Sequence, residues 1–151
     1  NLMPALTALE NVAMPLMFRG VPKRKRLKIA QKMLDAVGLQ TRIKHKPSQM
    51  SGGQQQRVGI ARAFASSPKI VFADEPTGNL DSKTTAEVLE LMVRLSHQNN
   101  GTLVLVTHDN GVAQYADRIV RITDGRIESD ERNQNIKQFA SLQSQIKETA
   151  Q

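Results

Sequence analysis

The sequence predicts an α/β chain with a parallel sheet, and three observations carry that reading. Ile70 to Ala73 and Thr102 to Val106 are short, continuous apolar runs, the pattern of strands covered on both faces rather than the alternation of a half-wet antiparallel sheet. Between them Val88, Leu91, Met92 and Leu95 recur at helical spacing, so strand, crossover helix and strand follow in order. Aromatic residues are only 3% of a chain that is 39% apolar, a balance that suits packing on Leu, Ile, Val, Ala and Met and not a β-sandwich.

In chain order, Asn1 to Pro4 reads as a short loop. Thr7 and Glu10 have the spacing of a capping box, which starts a helix running towards Arg19 with a kink expected at Pro15; Gly20 and Pro22 end it. Leu2, Met3, Leu16, Met17 and Phe18 are expected mostly to pack inside this helical region, with contact to a partner as the lesser alternative. Arg24 to Val37 forms a second helix with Leu27, Ala30, Leu34 and Val37 on one face and Gly38 closing it. Thr41 to Gln49 is a polar connection in which His45, set among lysines, reads as a solvated loop residue. Ser51 caps a third helix from Gly52 to about Ala65, with Val58, Ala61 and Ala65 on one face.

The run Ile70 to Ala73 is bounded by Pro68 and Pro76 and too brief for a typical helix, hence a buried strand. Asp81 suits the N-cap of a helix over Ser82 to Gln98, and His97 near its end is either a favourable C-terminal charge or solvent-exposed. A turn at Asn99 to Gly101 leads into the Thr102 to Val106 strand. A short helix around Val112 to Tyr115 follows, then Arg118 to Thr123, which Asp124-Gly125 turns into Arg126 to Glu128 as a hairpin. From Ser129 the composition becomes polar, and Ile136, Phe139, Leu142 and Ile146 leave a thin apolar stripe for a marginal surface helix to which no chemistry is assigned.

Composition removes several classes of function. With no cysteine, disulfides, thiolate metal sites and thiol redox chemistry are excluded. No apolar run approaches the roughly 18 residues that span a bilayer, and no signal peptide is visible, so a soluble protein is expected. The net charge of +7 is densest at Lys23, Arg24, Lys25, Arg26 and Lys28. That cluster reads mainly as the solvated start of a helix, with nucleic acid or an anionic membrane surface as the lesser alternative. Base-stacking aromatics are absent around it.

The chemistry concentrates at the strand ends. Asp74 and Glu75 follow the first strand at its carboxyl end, where open parallel sheets carry their polar work. An adjacent carboxylate pair there suits Mg²⁺, held directly or through water, and an attacking water; alone, the pair would be no more than the polar start of a turn. Ser51, Gly52 and Gly53 open a helix whose unpaired amides and positive dipole can hold an anion, though a serine-capped helix after a glycine turn is the plainer reading of those three alone.

MSGGQQQR followed by IVFADEP, then GNLD, then a second strand ending in a histidine closely resembles the signature sequence and Walker B strand of ATP-binding cassette (ABC) ATPases, and NLMPALTALENVAMPL and DRIVRITDGRI match the same family. The resemblance implies a P-loop NTPase sheet with a helical subdomain. Residues 1–65 would form that subdomain, ending in the signature helix; 66–128 the C-terminal part of the ATPase core; 129–151 a polar tail. It implies Asp74 as the Mg²⁺ ligand, Glu75 as catalytic base, and His108 as the switch histidine that positions the γ-phosphate and water. Ser51, Gly52, Gly53 and Gln54 would close over ATP held by the opposite subunit, and Asp81 would lie in the D-loop linking the two sites.

ATP and Mg²⁺ are the implied cofactors. The implied partners are a second ATPase subunit and a membrane permease, without nucleic acid, at a cytoplasmic location on the inner face of the cell membrane. ADEPTGNLDSKT and LENVAMPLMFRG look most like the subgroup serving lipoprotein release, macrolide export and antimicrobial-peptide resistance. The phosphate-loop pattern G-x-x-x-x-G-K-[ST] is absent, so the sequence looks like the C-terminal portion of such an ATPase, truncated at its N-terminus and at best weakly active alone. Its strands are then expected to show exposed edges. Two other readings compete: a non-catalytic dimerisation or docking module, and a nucleic-acid-associated ATPase built on the same cassette.

Overall fold

The computed structural model describes residues 2–78 and 81–137. Its elements are helices α1 (Ala8–Phe18), α2 (Lys23–Ala36) and α3 (Gly52–Phe64), strand β1 (Ile70–Asp74), helix α4 (Ser82–Gln98), strand β2 (Thr102–Val106), the short helix α5 (Asn110–Ala113), and strands β3 (Arg118–Thr123) and β4 (Arg126–Arg132). They divide into two compact units, Asn1–Phe72 with Thr77–Val104, and Ala73–Pro76 with Leu105–Gln151.

The first unit is a helical cluster. Apolar stripes from α1 (Val12, Leu16), α2 (Ala30, Leu34), α3 (Val58, Ala61, Phe64) and α4 (Val88, Leu89, Leu91, Met92) are all buried. The ends of these helices are encoded locally. Thr7 and Glu10 form the expected reciprocal capping box. At Gly20 (φ +72°), Gly38 (φ +75°) and Asn100 (φ +47°) the chain turns left-handed, and amides bond back to the last turn: Val21 to Leu16, Leu39 to Leu34, Gly101 to Ser96. The helix α1 continues through Pro15 as one element.

Three sequence expectations change here. Leu16 is buried, but Met3, Met17 and Phe18 are 48%, 46% and 77% exposed, because α1 turns only one stripe towards α2 and α3. His45 is half-buried rather than solvated: the Ile43 and His45 carbonyls accept from the Leu9 and Ala8 amides, folding the 41–49 connection onto the start of α1. The Arg42 guanidinium lies 3.0 Å from its Nε2, and its buried Nδ1 has no hydrogen-bond partner among the described residues. The third concerns the strands. β1 and β2 pair, with the Thr102 amide on the Lys69 carbonyl at one end and the Glu75 amide on the Val106 carbonyl at the other, as parallel strands do. Yet Ile70, Phe72 and Val106 are 54%, 73% and 51% exposed, so neither strand is covered on both faces: among the described residues this sheet has two strands and no second layer over those side chains.

In the second unit, α5 starts at Asn110, two residues before the expected Val112, because the Asp109 side chain caps it through the Gly111 amide. β3 and β4 form the expected antiparallel hairpin around Asp124-Gly125, both at positive φ, with an irregularity between Arg121 and Ile122. β4 runs on to Arg132, past the expected Glu128, and Asn133 then bonds back to the Gln114, Ala116 and Asp117 carbonyls. Phe139, Leu142 and Ile146 of the expected surface helix lie outside the described residues.

Candidate functional site

Two groups of the sequence-predicted residues acquire a geometry, one in each unit. In the second unit, Glu75 follows β1 and His108 follows β2, so pairing of these strands brings a glutamate and a histidine 33 positions apart into contact. His108 Nδ1 lies 2.7 Å from Glu75 Oε1, and the His108 backbone amide donates to the same oxygen at 3.0 Å. Thr107 Oγ1 reaches Oε2 at 3.4 Å while accepting the Asp109 amide at 3.1 Å. The Glu75 backbone is also unusual: its φ of +43° is a left-handed conformation that a glutamate rarely adopts, a cost tolerated here while the amide bonds the Val106 carbonyl.

The electrostatics follow from those contacts. The His108 side chain holds the Glu75 carboxyl below its ordinary value; desolvation opposes it, and the His108 backbone amide adds to the lowering, so Glu75 is a carboxylate at neutral pH. The pair is open to solvent, His108 at 87% and Glu75 at 39% side-chain exposure, which leaves room for water and a ligand. Asp74, the last residue of β1, is exposed and has no hydrogen-bond or ion-pair partner among the described residues. Thr107 is the residue that the sequence reading passed over; a hydroxyl beside the strand-end histidine was the available signal.

In the first unit, Ser51 caps α3: its side chain accepts from the Gln54 amide at 3.3 Å and the Gln54 side chain accepts from the Ser51 amide at 3.2 Å. First-turn amides have no partner within their own helix, so the amides of Gly52 and Gly53 are left for water or a ligand. A methyl group added at either glycine would meet nothing within 4 Å. The fold itself therefore does not require glycine there, although glycine costs up to about 1 kcal/mol relative to alanine within a helix. Asp81 caps α4, accepting from the Thr84 amide at 3.0 Å and the Thr84 hydroxyl at 2.6 Å. A shallow, open cavity of about 580 Å³ over the hairpin, lined by Ile119, Arg121, Glu131 and Asn133 among others, contains none of the predicted residues.

The donor chemistry fits the implied groups. Among the described residues no three carboxylates or imidazoles converge, so there is no all-protein metal cage. Mg²⁺ at nucleotide sites needs only one or two carboxylates, the remaining ligands being phosphate and water, and Asp74 is such a carboxylate. The uncrowded amides of Gly52 and Gly53 suit a phosphate.

Comparison with known proteins points to one family. The family model described as ABC transporter matches residues 1–78. An uncharacterised ABC transporter ATP-binding protein of Thermotoga maritima is 54% identical over 87% of this chain and 56% of its own length. The lipoprotein-releasing system ATP-binding protein LolD of Geobacter metallireducens is 51% identical over 86% of this chain and 58% of its own. The macrolide export ATP-binding/permease protein MacB of Pasteurella multocida is 52% identical over 86% of this chain and 20% of its own. Among solved structures, the dimeric post-hydrolysis state of the ATP-binding cassette MJ0796 bound to ADP and Pi superimposes with a TM-score of 0.77 at 45% identity, covering 89% of this chain and 60% of that one. The chain thus spans little more than half the length of its cassette-sized relatives.

Proposed function

Because this chain belongs to the ABC transporter family, we propose that its protein is an ATPase subunit that works as a head-to-tail dimer and couples ATP hydrolysis to export or release by a membrane permease. The observation that carries the reading is the Glu75–His108 pair, a carboxylate and an imidazole joined across the ends of β1 and β2. The names of the similar proteins, a lipoprotein-releasing ATP-binding protein and a macrolide exporter, support the same subgroup, and the dimeric cassette supports the dimer.

The chemistry is hydrolysis of the β–γ phosphoanhydride. A water oxygen bonds to the γ-phosphorus as the bridging bond breaks, ADP takes the bonding pair, and the water proton goes to Glu75. Such transfer needs positioning and charge neutralisation more than covalent participation by the protein. Glu75, a carboxylate fixed through Oε1 by His108 and with Oε2 only weakly engaged by Thr107, orients the water. A carboxyl held at a low pKa accepts a proton poorly, so the His108 contact has to loosen as the proton arrives. His108, at 87% exposure, can turn to the γ-phosphate. Asp74 would hold Mg²⁺, which supplies countercharge to the phosphates. The Ser51 side chain and the Gly52 and Gly53 amides, with Gln54 beside them, would close on the γ-phosphate bound by the other subunit, and Asp81 would link the two sites while capping α4.

The reading concerns the whole protein. Without a G-x-x-x-x-G-K-[ST] loop, these 151 residues alone turn over ATP weakly or not at all. In the full-length protein, Glu75→Gln lowers hydrolysis by about 10²–10⁴-fold, as loss of a general base does, while ATP still drives dimerisation. Undiminished turnover in that variant would remove the proposed role.

A further inference from the structure

The start of α2 is built against its own electrostatics. Lys23, Arg24, Lys25, Arg26 and Lys28 are five of its first six residues, where the amide ends of the helix already carry positive potential. No acidic residue stands in the first turn, and the N-cap, Pro22, makes no side-chain hydrogen bond. Among the described residues no ion pair engages Lys23, Arg24, Lys25 or Lys28; the Glu10 carboxylate feels Lys23, and Arg26 spends its guanidinium on the Val21 carbonyl. The four unpaired cations are exposed. Among the described residues only Glu10 acts against their mutual repulsion, and only at Lys23.

Immediately before them, across the Arg19 to Pro22 turn, Phe18 stands 77% exposed and Met17 46% exposed at the end of α1, so the cluster has an aromatic neighbour in sequence, against the expectation that none lies around it. Five residues of chain reach at most about 18 Å, which keeps Lys23 within that distance of Phe18 at the Arg19 to Pro22 turn. The turn is held: the Val21 amide bonds the Leu16 carbonyl and the Arg19 guanidinium donates to the Ser66 carbonyl at 2.8 Å. An apolar ring at the edge of a dense cationic cluster is what an anionic bilayer surface selects, the cations for headgroup phosphates and the ring for the interface. Duplex nucleic acid would use the charge but not Phe18.

We propose that the Met17–Phe18 end of α1 and the cationic start of α2 form a docking surface for the anionic phospholipid headgroups of a membrane. This surface is separate from the nucleotide chemistry, so its failure would leave the ATPase reading standing.

The test is co-sedimentation of the full-length protein with vesicles of phosphatidylcholine alone and of phosphatidylcholine mixed equally with phosphatidylglycerol. Binding to the anionic vesicles alone is expected, weakening as salt shortens the screening length. Each basic residue at an anionic surface contributes about fivefold in partitioning, so replacing Lys23, Arg24 and Lys25 together by Gln lowers it by about a hundredfold. Removing equal charge at Lys44, Arg126 and Arg132 leaves most of the binding, and Phe18→Ser weakens it without changing its salt dependence. Gln is a good helix former and relieves the repulsion, so the α2 variant should melt no lower than the parent, which separates lost binding from lost folding. Equal binding to neutral vesicles, no binding to either, equal losses in the two triple variants, or retention on duplex DNA in place of vesicles would each overturn the proposal.

Discussion

Glu75 bears two costs that the rest of β1 does not. Its left-handed backbone costs on the order of 1 kcal/mol or more, and its side chain gives up solvent for His108. Asparagine adopts that backbone more readily but is too short to reproduce the carboxylate's reach. Glu75→Asn should therefore leave the melting temperature of the full-length protein unchanged or slightly raised while hydrolysis falls by about two orders of magnitude or more, a split that thermal denaturation and phosphate release resolve together. Acid titration follows from the same contacts. Glu75, Glu10 and Asp130 are held below their ordinary values by His108, by the Thr7 amide and by Arg118. A lowered carboxyl binds fewer protons folded than unfolded, so its contribution is complete above about 4.5 and is lost as the pH falls below that. Melting temperatures measured down the acid range should drop there, with a shallower drop in Glu75→Gln; a flat profile would contradict these pairings.

At the scale of elements, the helices were legible because their signals are local. Thr7-x-x-Glu10 and Ser51-x-x-Gln54 each close a capping box, and Gly20, Gly38 and Asn100 supply the left-handed stops. Loss of the Ser51 hydroxyl in Ser51→Ala should cost about 0.5–2 kcal/mol, whereas Gly53→Ala should cost the fold nothing and slow only the nucleotide-dependent reaction, as equilibrium denaturation and hydrolysis assays would show. Asn11 was not legible. It sits fully buried on α1, donating to the Met3, Leu6 and Thr7 carbonyls and accepting the Met3 amide, which latches the preceding loop onto the helix. No periodicity announces such a latch, since it depends on where the loop returns. His45 escaped for the same reason: lysine neighbours in sequence do not reveal that its carbonyl caps α1.

For the whole molecule, what could be read from sequence divides at the sheet. The Glu75–His108 encounter was legible because each residue ends an apolar strand, and paired parallel strands put their carboxyl ends side by side. Burial of those strands was not, because an apolar run records what covers it without saying whether the cover lies in the same 151 residues. Ile70, Phe72 and Val106 on β1 and β2, and Val120, Ile122 and Ile127 on the hairpin, are all between 43% and 73% exposed. Relatives of which this chain spans 56–58% have a further two-fifths of sequence from which such a cover can come. Exposed, strand-borne apolar side chains with unpaired edges invite pairing between molecules. The isolated 151-residue chain should therefore self-associate with rising concentration. Replacing Phe72 and Ile122 by threonine, which keeps strand propensity while removing apolar surface, should shift association to higher concentration. Sedimentation velocity across a concentration series measures this directly. A monomer at every concentration, with one sharp and reversible melt, would mean that the two units satisfy their strands by themselves.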